Sequence, residues 1–155
     1  MARLRSALLL MLFFWAPGCA SSPGPVAPPG SFSVLEAQVV DRLNALRARE
    51  GLPALQPDPD AIAVAREHGG AMASGKRGFG HDGFAKRVSG LAARSPAENV
   101  FYTLRKSGIA EQVVQTWFDS SSHRKNMLGN HRVVGIGTAR TADSGRLYIT
   151  GIFAR

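Results

Sequence analysis

The sequence predicts an α+β domain, with helices first and an antiparallel sheet closing the chain. Three observations predict it. Apolar residues early in the domain recur at helical steps, as in Leu35, Val39, Leu43 and Leu46. Two late runs, residues 133–138 and 147–153, are rich in β-branched and aromatic side chains. Between them Thr141-Ala142-Asp143-Ser144-Gly145 reads as a turn, so the two runs form a hairpin.

Residues 1–30 precede that domain. Arg3 and Arg5 are followed by an apolar run from Ala7 to Trp15, too short to span a bilayer and laid out like a secretory signal over residues 1–18. Cys19, the single cysteine, follows Ala16-Pro17-Gly18. The small residues before it resemble the lipobox of bacterial lipoproteins. That resemblance implies cleavage before Cys19, lipidation of its new N-terminus and a membrane anchor in the bacterial cell envelope. Ala20 after the cysteine points to the outer membrane in a Gram-negative organism. Several acyl chains, each worth ~0.8 kcal/mol per buried CH₂, would hold such an anchor stably. The rest of residues 19–30, rich in Pro, Gly and Ser, cannot bury enough apolar surface to fold and reads as an extended tether. The folded domain is expected over residues 31–155. It contains no cysteine and so relies on no disulfide.

Within the domain each element has a local cause. Ser33 and Glu36 form a capping box at the start of the first helix, and Gly51 and Pro53 stop it. Asp58 and Pro59 open a second helix as N-cap and first turn. Its stripe is Ala61, Val64, Ala65, His68 and Met72, and Gly69 and Gly70 suggest a close backbone approach. Residues 75–83, with four glycines, are loop. Residues 98–103 form a further strand. A third helix covers residues 109–119 and buries Ile109, Val113 and Trp117. Ser120, Ser121 and Ser122 make a polar turn, and any one of them can cap a short helix over residues 123–128, which Gly129 ends.

The formal net charge is +8; without Arg3 and Arg5, 17 basic side chains stand against 11 acidic ones, leaving +6. Pairs such as Lys76-Arg77, Lys86-Arg87, Arg105-Lys106 and Arg124-Lys125 suit attraction to anionic envelope lipids or glycans. The plainer reading is a solvated basic surface. No nucleic-acid motif accompanies the charge, so no nucleic-acid partner is expected.

The chemistry-bearing phrases are Gly80-His81, Ala97-Glu98-Asn99-Val100 and Trp117-Phe118-Asp119-Ser120-Ser121-Ser122-His123-Arg124. Two imidazoles and a carboxylate suit two tasks. They can bind Zn²⁺ with an open position, or act as acid, base and orienting partner. Spacing alone does not choose. The histidines lie on different segments, unlike a His-Glu-x-x-His helix, and no Gly-x-Ser-x-Gly is present. His68, in line with Val64 and Met72, reads as a core histidine bonded to backbone. His131, after Gly129-Asn130, reads as exposed.

These phrases lie in a longer pattern. It begins with Leu43-Asn44-x-x-Arg47-x-x-x-Gly51-Leu52-Pro53 and Ala65-x-x-His68-x-x-x-Met72-Ala73. After the three phrases come Val134-Gly135-Ile136-Gly137 and Tyr148-Ile149-Thr150-Gly151-Ile152-Phe153-Ala154. The whole resembles the CAP superfamily of cysteine-rich secretory proteins, venom allergens and plant pathogenesis-related proteins, in its short bacterial form. The resemblance implies an α-β-α sandwich around a three-stranded antiparallel sheet. It also implies a cleft lined by two histidines and two glutamates. His81, Glu98 and His123 match three of these positions, with Asn99, Trp117 and Ser120 supporting the cleft. Ser120 stands where the second glutamate is usual. Asp119 beside it points off that helical face, and Glu111 does not match.

Three functions follow as expectations. The first is an envelope-anchored binding protein taking lipid, glycan or protein partners in the His/Glu cleft. The alternative is a hydrolase of protease or nuclease type, with His81 and His123 as base or zinc ligands and Glu98 orienting one of them. In the third, the cleft residues serve only the fold. Fold alone does not choose among them.

Overall fold

A computed structural model describes residues 32–92 and 94–155. The signal, lipidation at Cys19 and the tether all lie outside the described residues. Among those residues no helix is long and apolar enough to cross a membrane.

Helix α1 spans Val34–Arg49 and begins with the expected capping box, Ser33 and Glu36 each bonding the other's backbone. Strand β1 is Gln56–Pro57, and α2 is Pro59–Ala73, capped by Asp58 Oδ1 on the Ala61 amide at 2.8 Å. A short α3, Phe84–Val88, follows the glycine-rich loop. Then come β2 (Ala97–Thr103), α4 (Ile109–Asp119), α5 (Ser121–Met127), β3 (Val133–Arg140) and β4 (Leu147–Ala154).

The sheet order is β1-β3-β4-β2. The hairpin β3–β4 and the pair β2–β4 are antiparallel, as expected. The expectation of three strands is corrected: β1 adds a fourth, parallel to β3, and makes the sheet mixed. The amides of Gln56 and Asp58 donate to the carbonyls of Arg132 and Val134, at 2.9 and 3.1 Å. Pro57 between them has no N–H to give, which suits an edge. Two residues are too few to show alternation, so this strand leaves no mark in the sequence.

Alternation along the long strands sorts the core. Val134, Ile136, Ile149, Phe153 and Phe101 face α1 and α4, where Val39, Leu43, Val113 and Trp117 are fully buried. The opposite face carries Ile152 and Tyr148, against α2 and α3. There Gly135 and Gly137 let α2 lie directly on β3. A Cβ at Gly135 would meet the Ala61 carbonyl carbon at 2.1 Å, and one at Gly137 the Arg66 amide at 2.2 Å. The close approach suggested by Gly69 and Gly70 thus exists, but the strand supplies its glycines. Gly70 faces open space.

Two buried charges fasten the layers. Glu36 accepts from Arg66 and from the backbone amide and hydroxyl of Thr138, tying α1 to α2 and β3. Those donors outweigh burial and hold its carboxyl below the usual range. Arg47 donates to the carbonyls of Pro53, Met127, Gly129 and His131, pinning α1 to the turn before β3.

Candidate functional site

Strand β2 lies at a sheet edge, and the candidate residues gather there. Glu98, Val100 and Tyr102 point to the α2 side of the sheet, while Asn99, Phe101 and Thr103 point to the α4 side. Glu98 therefore reaches the glycine-rich loop, and Asn99 reaches α5. His81 Nδ1 lies 2.9 Å from Glu98 Oε1. The rings of His81 and His123 stand 6.4 Å apart, centre to centre. The structure thus brings His81, Glu98 and His123 together.

The fourth member of this group is a residue the sequence reading missed. Arg87 Nη2 donates to both oxygens of Glu98, at 2.9 and 2.8 Å, and Nη1 donates to the Asp82 carbonyl at 2.5 Å. The side chains of Arg87 and Glu98 are only 5% and 2% exposed. Lys86-Arg87 looks like any solvated basic pair in the sequence. Helix α3 separates them, leaving Lys86 exposed and turning Arg87 inward. Nothing short of that helix's packing marks the difference.

This pairing sets the tautomer of His81. Both Glu98 oxygens accept from Arg87, so in the neutral ring His81 Nδ1 is the nitrogen that donates to Glu98. The lone pair is then on Nε2, and the His81 side chain is 52% exposed. Glu98 orients the ring, as carboxylates commonly do for working histidines. His68 supports the loop from beneath. Its ring is buried and its Nε2 lies 2.9 Å from the Gly80 carbonyl. It is the core histidine expected, and burial holds its pKa below the usual histidine value.

His123 is set by the other face of β2. Asn99 Nδ2 donates to the His123 carbonyl at 3.1 Å. Asn126 donates to Asn99 Oδ1 at 2.8 Å and to the Glu98 carbonyl at 3.2 Å. Burial, then the neighbouring His81, lowers the pKa of His123, which keeps its imidazole neutral near pH 7. Its Nδ1 is buried without a hydrogen-bond partner among the described residues.

The supporting residues fall differently. Trp117 is fully buried in the core and donates to the Val100 carbonyl at 3.2 Å. Ser120 Oγ lies 3.2 Å from Ser122 Oγ. Asp119 accepts from Gln115, and Glu111 pairs with Arg42 on the far layer. Among the described residues no second carboxylate joins the site. His131 is corrected from exposed to half-buried: its ring lies 5.9 Å from that of Phe153, and burial and Arg47 lower its pKa.

As a zinc centre the donor set is short. Among the described residues no three of His, Cys, Asp and Glu are placed to share an ion. Glu98 is held by Arg87, which leaves two imidazoles where a catalytic zinc takes three protein ligands.

An α-β-α sandwich with a histidine pair at one sheet edge is the class of protein that this fold and site define. The chain belongs to the CAP family, the cysteine-rich secretory protein family, whose model matches residues 40–153. It is 32% identical over 117 residues to the uncharacterized protein YkwD of Bacillus subtilis (strain 168), covering 70% of this chain and 44% of that protein. The chain thus spans less than half the length of that relative. A Bacillus anthracis extracellular protein containing an SCP domain is similar at 26% identity and a TM-score of 0.66, over 86% of this chain and 45% of the other. An outer surface protein of Borrelia burgdorferi shares the fold, with a TM-score of 0.67 and 18% identity, over 78% of this chain and 92% of the other.

Proposed function

We propose that this CAP domain is a binding protein working outside the cytoplasm, and that His81 and His123 form its receiving edge. One observation carries the reading: both oxygens of Glu98 are engaged by Arg87, and one also by His81. A carboxylate so occupied is placed to orient an imidazole. The edge offers the His81 Nε2 lone pair and a neutral His123 to a partner group, a set suited to hydrogen bonding. The extracellular relative and the N-terminal pattern support the location, and lipidation of Cys19 would keep the domain near the membrane. The envelope supplies the candidate partners: lipid head groups, glycans and secreted proteins.

The Glu98–His81 pair is also the feature a hydrolase would use, and the same experiment separates the readings. Histidine side-chain NMR is followed while the protein is titrated with phosphatidylglycerol vesicles, soluble peptidoglycan fragments or secreted proteins. The expected result is that one probe shifts His81 and His123, and that His123→Ala weakens its binding about tenfold, roughly one lost hydrogen bond to a polar group, at unchanged Tm. If His81→Ala and His123→Ala only lower Tm and no probe moves either ring, the residues serve the fold. Substrate turnover lost in Glu98→Gln would establish the hydrolase instead. One-to-one zinc lost in His123→Ala would establish a metal site.

A further inference from the structure

Beyond the histidine edge, the same face of β2 carries a second feature. Tyr102 lies four residues after Glu98 and so about 13 Å further along the strand. Helix α2 ends at Ala73 with Met72 packed on Tyr148, which is buried, while Tyr102 at the strand edge stays exposed. Phe79, from the glycine-rich loop, packs edge to face with Tyr102 at 4.9 Å between ring centres. Tyr148, the cross-strand neighbour of Tyr102, completes the group, 6.1 Å from Tyr102 and 6.3 Å from Phe79.

Phe79 and Tyr102 are 51% and 46% exposed. With Leu104 they make up three of the four large exposed hydrophobic residues in the described domain. Single exposed apolar residues are ordinary; Phe79 and Tyr102, in edge-to-face contact, form a small continuous exposed apolar patch.

The surroundings say what kind of contact. Arg146 lies over the Tyr102 ring at 4.9 Å and donates to the Tyr148 hydroxyl at 3.3 Å. Lys76 and Arg77 precede Phe79, Arg105 and Lys106 follow Leu104, and all four are exposed. Among the described residues none of these five cations forms a salt bridge with a carboxylate. Asp143 is the acid on the rim, and its carboxylate accepts the Ser144 amide. Beside the rings runs a groove of about 580 Å³ between the end of α2 and the β3–β4 hairpin, its polar lining being Ser74, Thr141, Asp143, Ser144, Arg146 and Tyr148. That volume is in the range of ligand sites.

We infer that this aromatic platform is a binding site for an acidic polysaccharide. A sugar ring has an apolar C–H face that stacks on an aromatic ring and hydroxyls that bond a polar groove. Acidic groups along the polymer answer Lys76, Arg77, Arg105 and Lys106, which form no salt bridge among the described residues. An anionic bilayer can also take exposed rings and cations, but it offers no partner for the hydroxyl-lined groove beside them. A single-stranded nucleic acid would use rings and cations too, and is the rival that the test must separate.

The protein is titrated calorimetrically at low salt with an oligogalacturonate, with its methyl-esterified neutral form and with oligo(dT). The acidic sugar is expected to bind, and the neutral form and oligo(dT) to bind more weakly. Phe79→Ala/Tyr102→Ala is expected to weaken the sugar by about tenfold or more, the scale of a lost aromatic stack. Both residues are surface-exposed, and circular dichroism checks the fold. Arg49→Ala, removing a cation from the opposite layer, leaves the affinity unchanged. The inference is overturned if the acidic sugar does not bind. It is overturned if the aromatic substitutions leave its affinity intact, since charge alone then explains it. Tighter binding of oligo(dT), lost in the same variant, would assign the surface to nucleic acid. The histidine edge is untouched by these outcomes, and its own test stands apart.

Discussion

Replacing Arg87 by methionine keeps much of the side chain's length and removes its charge. Glu98, with a side chain 2% exposed, would then be a buried carboxylate with His81 as its remaining side-chain hydrogen-bond partner. Breaking a buried ion pair from one side typically costs about 3–5 kcal/mol, because the surviving charge is uncompensated. His81 can still donate, so the lower end applies, about 3 kcal/mol. For a domain of this size that corresponds to a Tm roughly 10 °C lower. The Asp82 carbonyl also loses its shorter donor and keeps only the 3.5 Å bond from Arg77, which loosens the turn that presents His81. Glu98→Gln in the same chain removes the stranded charge, and Arg87→Met/Glu98→Gln should recover at least half of the loss. Thermal unfolding followed by tryptophan fluorescence compares both variants with the parent chain. A Tm fall under about 3 °C, which is below 1 kcal/mol on this scale, would refute the reasoning. So would a double variant no more stable than Arg87→Met, because the cost would then not arise from Glu98's charge.

Two other outcomes follow from the packing and the histidines. Gly137→Ala places a methyl group 2.2 Å from the Arg66 amide, forcing α2 off the sheet at a cost of about 3 kcal/mol. Gly70→Ala, in open space on the same helix, is expected to gain roughly 0.5–1 kcal/mol; equal urea midpoints for the two variants would refute the close approach. His68, His123 and His131 all have lowered pKa values, chiefly through burial. Their neutral forms are favoured by folding, so stability is complete above the unfolded value of about pH 6.5 and is lost as pH falls through the lowered folded values. Urea midpoints should therefore decline on acidification, and His68→Gln should flatten the decline; a flat wild-type profile would contradict it.

Much of the fold is legible because it rests on local patterns. The capping box at Ser33 and Glu36, the helix opened by Asp58 and Pro59 and the hairpin after Val133 each have causes a few residues apart. The three long strands are found where their β-branched and aromatic runs and the turn between the last two place them. β1 is not legible, because two residues held by β3 carry no pattern of their own. The site divides along the same line. His81, Glu98 and His123 stand out in the sequence as residue types in short phrases, and they meet at one sheet edge. Their electrostatics do not stand out, because charge is a property of residues and burial a property of neighbours. Arg87 and Lys86 are equivalent on paper, as are His131 in its turn and any solvent histidine.

The sequence by itself therefore determined the family, the order of the main elements and the trio at the β2 edge. Tertiary structure alone decided what surrounds that trio. By turning Arg87 under the sheet edge, α3 binds the Glu98 carboxylate that would otherwise be available to a proton or a metal. By ending at Ala73, α2 leaves Phe79 and Tyr102 half exposed beside cations that form no salt bridge with a carboxylate among the described residues. Both depend on which groups are removed from water together, and that follows from the packing of segments far apart in the chain.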